Sequence, residues 1–161
     1  MDDADGRVSL REITDANRDA VAALRVSQEQ THYVASVARS YVDAAENPDA
    51  QPWMRGVYVG DVPAGFVLLA DGVDVAHPDF AGPYYLWRLL VDERYQGRGI
   101  GTAALDLTVA HVREHPDART LRSSVVPGGE RSPLPFYLGY GFVLTGELLD
   151  GEELIELRLR D

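Results

Sequence analysis

The segment from residue 84 to residue 102 constrains the fold of this 161-residue chain most strongly. Residues 84–91 are nearly all apolar, with Arg88 as the only charge, and such a run predicts a strand buried on both faces of a sheet. Three glycines at alternate positions follow, Gly97, Gly99 and Gly101. A helical pattern then runs from about residue 100 to residue 115. The segment therefore predicts a central strand that passes through a glycine-rich turn into a long helix.

This glycine-rich turn has the chemistry of an anion site. Glycine lets the backbone approach a ligand closely, and the first amides of a helix have no acceptor within that helix. Together with the helix dipole, these amides favour a phosphate and above all a pyrophosphate, and Arg94 and Arg98 add positive charge. The spacing G-x-G-x-G fits neither the dinucleotide motif nor the Walker motif. The alternative is that the glycines only shape a tight connection.

Composition excludes several classes of chemistry. The chain has no cysteine, which excludes thiolate metal sites and acyl-cysteine intermediates, and it has no lysine for a Schiff base. A net charge of -11 disfavours a nucleic-acid partner and suits a cationic small molecule. The length predicts a single domain over residues 1–161. No basic-then-apolar leader or long apolar run is present, so a cytoplasmic protein without a membrane partner is expected.

The remaining segments predict a mixed sheet with helices on both faces. Strand-like runs lie at residues 7–12, 53–59, 63–70, 121–126, 142–149 and 152–160. A first helix is expected after Thr14 and Asp15, with an inner face of Ala16, Ala20, Ala23 and Leu24. A second opens at the capping-box pattern of Ser27 and Gln30 and ends at Asn47, with apolar positions at Val34, Val37, Ala38, Tyr41, Val42 and Ala45. A short helix covers residues 133–140.

Two motifs carry a resemblance to a known family. Residues 96–101, Gln-Gly-Arg-Gly-Ile-Gly, resemble the Q/R-x-x-G-x-G/A motif of the GNAT superfamily of acetyl-CoA-dependent N-acetyltransferases. Residues 136–142 resemble the F-Y-x-x-x-G-F segment of the same superfamily. The resemblance implies an α/β (α+β) fold with a mixed, mostly antiparallel sheet flanked by helices. It also implies that the central strands, here residues 84–91 and 121–126, splay apart around acetyl-CoA.

The resemblance also implies which residues hold the cofactor. The pantetheine arm would pair with the backbone of Leu89, Leu90 and Val91. The pyrophosphate would meet the amides of Gln96, Gly97, Arg98, Gly99, Ile100, Gly101 and Thr102. Phe136 and Tyr137 would lie beside the cofactor, and Ser132 would either cap the short helix or touch the pantetheine arm.

Acetylating an amine requires a neutral nucleophile, a polarised thioester carbonyl and a proton for the departing thiolate. Tyr137 is the expected general acid, because the family motif places a tyrosine there; the alternative is an aromatic ring that only packs under the cofactor. A backbone N–H near Leu89 would polarise the carbonyl. Because the chain has no cysteine, direct attack in a ternary complex is expected.

The general base is the least defined part of this chemistry. Some polyamine acetyltransferases carry carboxylates on the strand before the glycine-rich turn, where this chain has Trp87 and Arg88. A water chain that ends on Glu147, Glu29 or His32 is therefore predicted; plain solvated side chains are the alternative. The expected substrate-binding residues are Glu29, His32, Tyr33, Trp87 and Glu147.

A narrower resemblance points to bacterial spermine/spermidine (diamine) N-acetyltransferases. It rests on residues 87–92 with 95–97, on residues 33–36, and on residues 145–147 with 150–152. It implies a polyamine-like acceptor, which the hairpin carboxylates Glu147, Glu152 and Glu153 would attract. Two alternatives stay open: an amine-bearing antibiotic or amino acid as acceptor, and a non-catalytic acetyl-CoA sensor. A homodimer is implied by the family alone.

Residues 111–115 satisfy the zinc-peptidase pattern H-x-x-E-H. They lie in the last turn before Pro116, where histidines favour the carbonyl end of a helix. The match is therefore interpreted as accidental, and no metal is expected.

Overall fold

A computed structural model describes residues 7–160, and within them seven strands form one sheet. The strands are β1 (Val8–Glu12), β2 (Pro52–Val59), β3 (Val62–Asp71), β4 (Tyr84–Val91), β5 (Thr120–Val125), β6 (Val143–Leu149) and β7 (Glu152–Arg158). Their spatial order is β1-β2-β3-β4-β5-β7-β6. Neighbouring strands in this described part are antiparallel, except that β4 and β5 run parallel. The predicted mixed, mostly antiparallel sheet is confirmed.

Helices cover both faces of the sheet, as predicted. They are α1 (Arg18–Ala22), α2 (Val37–Glu46), α3 (Ile100–Arg113) and α4 (Leu134–Tyr140), with single 3-10 turns at Gln28–Gln30, Pro48–Ala50 and Glu93–Tyr95. Successive side chains of a strand point to opposite faces, so β3 supplies both cores. Phe66 and Leu68 pack with α1 and α2, whereas Val67 and Leu69 pack with α3. Within residues 7–160, no helix combines the length and the apolar character needed to cross a bilayer.

The two early helices differ from the sequence prediction. Helix α1 begins after Asn17 rather than at Thr14 or Asp15, and the side chains it buries are Val21 and, just beyond it, Leu24. The alanines predicted to face inward are exposed: Ala16, Ala20 and Ala23. An alanine stripe has little apolar surface to bury, so packing selects the larger side chains instead.

The predicted helix from Ser27 to Asn47 is interrupted. The Ser27 capping box is present, but it closes only one 3-10 turn. A new helix, α2, starts after Ser36, whose Oγ accepts a hydrogen bond from the Arg39 N–H over 3.1 Å. Its buried face is Val37, Ser40, Tyr41 and Ala44, while Ala38, Val42 and Ala45 are exposed. The two Ser N-caps divide one apolar pattern into two elements.

The parallel strands β4 and β5 separate almost at once. They share one ladder pair, Tyr85 with Arg122, and the Ser123 hydroxyl then donates to the Leu86 carbonyl over 2.8 Å. Beyond that point β4 has no ladder partner on the β5 side within the described chain. The predicted splay of the central strands is confirmed, and it leaves a gap in the middle of the sheet.

Candidate active site

The gap between β4 and β5 opens into a cavity of about 940 Å³. Its lining comes from β4, the glycine-rich turn, β5, helix α4 and the segment around residues 30–35. From Tyr85 to Val91 the strand β4 spans about 20 Å at roughly 3.3 Å per residue. The cavity therefore runs along one strand and has two ends of different chemistry.

The first end is a row of free backbone donors at the start of α3. The N–H groups of residues 96–102 donate to no acceptor among the described residues, and the first helical bond runs from Ala103 to the Gly99 carbonyl over 3.1 Å. Gly97 and Gly99 have φ angles of 77° and 79°, which favour glycine. A Cβ on Gly101 would lie 3.5 Å from the Phe136 ring. This end is built to meet an anionic group with backbone donors.

Asp92 lies just before this turn and fixes its backbone through hydrogen bonds to Arg25 and Arg94. Its carboxylate accepts from the Arg25 N–H at 3.0 Å, from the Arg94 N–H at 2.9 Å and from the Arg94 guanidinium at 2.8 Å. Burial by itself raises the pKa of Asp92, but the hydrogen bonds from Arg94 and Arg25 outweigh burial and hold it below its ordinary value. The positive charge that Arg94 adds to the turn is paired with the Asp92 carboxylate.

The Gln96 side chain connects the turn to two neighbouring segments by hydrogen bonds. Its amide donates to the Val91 carbonyl over 2.9 Å and exchanges two hydrogen bonds with the Gln30 amide at 2.9 and 3.0 Å. The Gln96 side chain thus ties the turn to β4 and to the segment after Ser27. Arg98 does not line the cavity, and its guanidinium lies 5.7 Å from the Tyr95 ring centre.

Tyr137, on α4, lies in the cavity wall and is 7% exposed. Its hydroxyl has no hydrogen-bond partner within residues 7–160, although the ring packs edge-on against Phe136 and Phe142. Burial, and to a lesser extent the Tyr85 hydroxyl, raise the pKa of Tyr137 well above the ordinary tyrosine value. Tyr137 thus carries its proton at any physiological pH.

Ser132 and Phe136 lie beside Tyr137 in the lining. The Ser132 hydroxyl accepts from the Leu134 N–H over 3.2 Å, just before α4, whose N-cap residue is Pro133. Phe136 packs against Gly101, so the first turn of α3 and helix α4 close on each other across the cavity.

The second end of the cavity is aromatic and acidic. Phe80 packs edge-on against Tyr85 and Trp87, with ring centres 5.7 and 4.7 Å apart. The carboxylates that line the cavity within residues 7–160 are Asp79, Asp150 and Glu152. Asp79 adjoins Phe80 in the chain, and Asp150 follows Leu149, which packs on the same aromatic cluster. This end suits a cation with an apolar stem.

A hydrogen-bonded chain links this end to a carboxylate. The Ser124 hydroxyl donates to Glu152 Oε1 over 2.7 Å, and it is also hydrogen-bonded to the Tyr85 hydroxyl. Burial raises the pKa of Tyr85 to about 12, although its hydrogen bond to Ser124 acts in the opposite direction. The sequence predicts Glu152 only as one of the charges that attract a cation. No local pattern indicates its hydrogen bond with Ser124, because the two residues meet only where β7 lies beside β5.

Arg88 does not bring a free positive charge to the cavity. Its guanidinium donates to Asp43 over 2.9 Å and to the Ser40 hydroxyl over 3.0 Å, both on α2. Asp43 therefore neutralises the one charge of β4, and the neighbouring Trp87 contributes its ring to the wall.

The structure brings most of the predicted site residues to this one cavity. Three of them lie outside its lining: Arg98, Glu29 and Glu147. Glu29 is paired with Arg131 over 2.7 Å. Glu147 is exposed on β6, which is the edge strand because β7 is inserted between β5 and β6. The sheet order therefore separates Glu147 from the gap by a full strand.

The early segment forms a roof over the cavity. Its His32 and Tyr33 line the cavity, and the Tyr33 hydroxyl donates to the Gly128 carbonyl over 3.0 Å. The Glu29–Arg131 pair joins the same two segments. Tyr33 and Glu29 thus connect the roof to the loop after β5.

The central parallel strands separate around a cavity next to a row of free N–H groups, which is the arrangement that the sequence resemblance implies for an acyltransferase that uses a coenzyme A thioester. The model of the Acetyltransferase (GNAT) family matches residues 8–142, and the chain belongs to this family. It is an N-acetyltransferase, and acetyl-CoA is its acetyl donor.

Similar proteins include named enzymes and solved structures. The chain is 30% identical to a spermine/spermidine N(1)-acetyltransferase of Bacillus subtilis over 92% of this chain and 96% of the relative. A crystal structure of PaiA N-acetyltransferase from Thermoplasma acidophilum in complex with coenzyme A has a TM-score of 0.62 at 15% identity, covering 94% of this chain and 99% of that chain. N-acetylglutamate synthase from Neisseria gonorrhoeae, complexed with coenzyme A and N-acetyl-glutamate, has a TM-score of 0.67 at 16% identity, covering 96% of this chain and 36% of that chain. The two structures show the fold.

Proposed function

We propose that this chain, as one GNAT domain, transfers an acetyl group to a primary amine of a polyamine. The observation that carries the proposal is the aromatic and acidic end of the cavity, where Phe80, Tyr85 and Trp87 meet Asp79, Asp150 and Glu152. The named B. subtilis relative, a spermine/spermidine N(1)-acetyltransferase, supports the same acceptor class.

The opposite end of the cavity fits acetyl-CoA. Seven consecutive free N–H groups, those of residues 96–102, offer donors to a diphosphate, and the lining along Leu89, Leu90 and Val91 offers a strand edge to the pantetheine arm. Acetyl-CoA supplies a thioester carbonyl and a thiolate leaving group. In this arrangement the backbone of residues 96–102 binds the diphosphate, and Phe136 closes over the first turn of α3.

The aromatic and acidic end of the cavity favours acceptor amines that carry several positive charges. A polyamine is a chain of methylenes with several ammonium groups, and aromatic faces attract an ammonium while they also pack on methylenes. Three carboxylates around those rings then favour a second and third positive charge over a single one. The protein's net charge of -11 steers such a cation toward the cavity at low ionic strength.

The attacking amine must lose a proton, because an alkyl ammonium has a pKa of about 10.4. Tyr85 is the group that takes it: its hydroxyl accepts the proton from the ammonium as its own passes to Ser124, and the Ser124 proton passes to Glu152. Tyr137 donates its proton to the departing sulfur, and the resulting phenolate takes up the second proton that the nitrogen loses as the amide forms. Both tyrosines line one cavity, which supports their action on the same reacting centre.

The acceptor is tested by measuring thiol release with the whole chain and matched amines. Putrescine and butylamine share a four-carbon chain and differ by one ammonium group. We expect kcat/KM for putrescine and spermidine to exceed that for butylamine by at least about tenfold, a ratio that falls as salt is added. Equal rates for butylamine, or turnover only of amino acids or aminoglycosides, would overturn the polyamine assignment. The homodimer and the cytoplasmic location stay predictions.

A further inference from the structure

A cluster of three metal-ligating side chains lies outside the acetyl-transfer cavity. It joins the end of β3 to the last turn of α3, where Asp71 faces His111 and His115. His111 Nε2 lies 2.8 Å from Asp71 Oδ2, and His115 Nε2 lies 3.1 Å from Asp71 Oδ1. Candidate ligand atoms of all three residues lie within 4.8 Å of one another. None of the three lines the acetyl-transfer cavity.

Only one of the two oxygens of the Asp71 carboxylate has a hydrogen-bond partner among the described residues. Its Oδ2 is hydrogen-bonded to His111, but its Oδ1 is buried and has no hydrogen-bond partner within the described chain. The nearby His115 nitrogen is close enough, yet it is not aligned for a hydrogen bond. A buried carboxylate oxygen without a donor is costly, and a bound cation would satisfy it.

The rings are held in place by neighbouring aromatic side chains. Trp53 stacks on His111, with ring centres 4.1 Å apart and planes 17° from parallel. Tyr84 packs against His115 with ring centres 5.0 Å apart. His111 lies in the last turn of α3 and His115 lies two residues beyond its end, and the Nε2 of each ring lies beside the Asp71 carboxylate. Packing thus orients both imidazoles toward the same carboxylate before any ion binds.

The spacing of the donors fits a transition metal. Zinc with two imidazoles and a carboxylate has metal–ligand bonds of about 2.0 to 2.2 Å, which places tetrahedral ligands about 3.3 Å apart. The observed separations of 2.8 and 3.1 Å need to open by only about half an ångström to reach that value. Imidazole with one carboxylate suits Zn²⁺, Co²⁺ and Ni²⁺ better than Mg²⁺ or Ca²⁺.

We propose that Asp71, His111 and His115 form a binding site for a divalent transition metal of the zinc class. The site has three protein ligands, and water completes the coordination through the open groove that Trp53 and Asp71 line. Bound metal ties the end of β3 to the end of α3 and stabilises the folded chain by mass action. Glu114 of the H-x-x-E-H pattern is exposed and is not in the cluster, so the site is structural and not that of a peptidase.

Cobalt titration of the metal-free full chain tests the site, because Co²⁺ bound to imidazole and carboxylate absorbs visible light. We expect one equivalent to bind, to quench Trp53 fluorescence, to raise the melting temperature and to be displaced by Zn²⁺. His115→Gln removes a ligand from a residue that is 38% exposed, and we expect it to weaken binding by at least about 100-fold.

His77→Gln is the matched control. His77 Nε2 also lies 2.9 Å from a carboxylate, that of Asp49, but this pair has no third ligand in the described chain. We expect His77→Gln to bind cobalt as the unmodified chain does. The proposal is overturned if cobalt does not saturate at one equivalent, if His115→Gln binds as tightly as the unmodified chain, or if His77→Gln loses binding equally. Circular dichroism of both variants identifies a failure to fold, and in that case Asp71→Asn provides the same comparison.

Discussion

The Ser124 hydroxyl donates its proton to Glu152 over a distance of 2.7 Å. Serine has one hydroxyl proton, so in its short hydrogen bond with Tyr85 the serine oxygen is the acceptor and Tyr85 is the donor. The three groups therefore point in one direction, from the cavity toward the carboxylate. In the proposed mechanism, this polarity lets the chain carry a proton away from an amine that binds beside Tyr85.

Replacing the terminal acceptor should stop this transfer. Glu152→Gln keeps an oxygen for Ser124 but cannot take a proton, so we expect kcat to fall by roughly 100-fold or more with little change in the KM for acetyl-CoA. Glu147→Gln, on the neighbouring strand, removes the same charge outside the cavity and should leave kcat nearly unchanged. Steady-state thiol release measures both. A larger loss of kcat in Glu147→Gln would instead support Glu147, which the sequence predicted, as the group that accepts the proton.

Tyr137→Phe should separate catalysis from stability. Loss of the phenol proton should lower kcat by roughly 100-fold, because the thiolate then leaves without a donor. The hydroxyl has no hydrogen-bond partner among the described residues, so its removal should leave the melting temperature equal or slightly higher. Unchanged kcat with a lowered melting temperature would assign Tyr137 to packing alone.

Adding a side chain at Gly99 should strain the backbone of the glycine-rich turn and weaken the binding of acetyl-CoA. A Cβ on Gly99 meets no atom within 4 Å, but the residue has a φ of 79°, so Gly99→Ala should cost about 1 to 2 kcal/mol and disturb the free N–H groups. We expect the KM for acetyl-CoA to rise about tenfold. Gly139→Ala in α4 also has open space and lacks a positive φ, so it should not raise this KM. Equal KM values in the two variants would contradict the anion site.

Asp92 should make stability depend on pH. Its folded-state pKa is lowered, so its contribution is complete above the unfolded value of about 3.9 and is lost as the pH falls through the folded value. Asp92→Asn should cost about 2 kcal/mol at neutral pH, and the difference from the unmodified chain should shrink below about pH 4. Urea unfolding across this range measures it. Asp61→Asn, at a carboxylate that is 95% exposed, should change stability by less than about 0.5 kcal/mol throughout.

Local patterns predicted the parts of the molecule that depend on neighbouring residues. Strand β4 has the bounds that its apolar run predicted, and the glycine-rich turn leads into α3 as its alternate glycines indicated. The hairpin turn at Asp150 and Gly151 has φ angles of 50° and 81°, which an Asp-Gly pair favours in a two-residue hairpin turn. The early helices were predicted less well, since alanine and valine at helical spacing do not say which side chains a sheet will bury.

The amino-acid sequence by itself determined the strand, the turn and the helix that begin the cofactor site, because backbone angles and hydrogen-bond demands are set within a few residues. Only the tertiary structure decided which carboxylate ends the hydrogen-bonded chain from Tyr85 and which residue meets the H-x-x-E-H histidines. Glu152 reaches Ser124 because β7 lies beside β5, and Asp71 reaches His111 because β3 ends at the last turn of α3. Such contacts join residues 28 and 40 positions apart, and sheet order and packing bring them together.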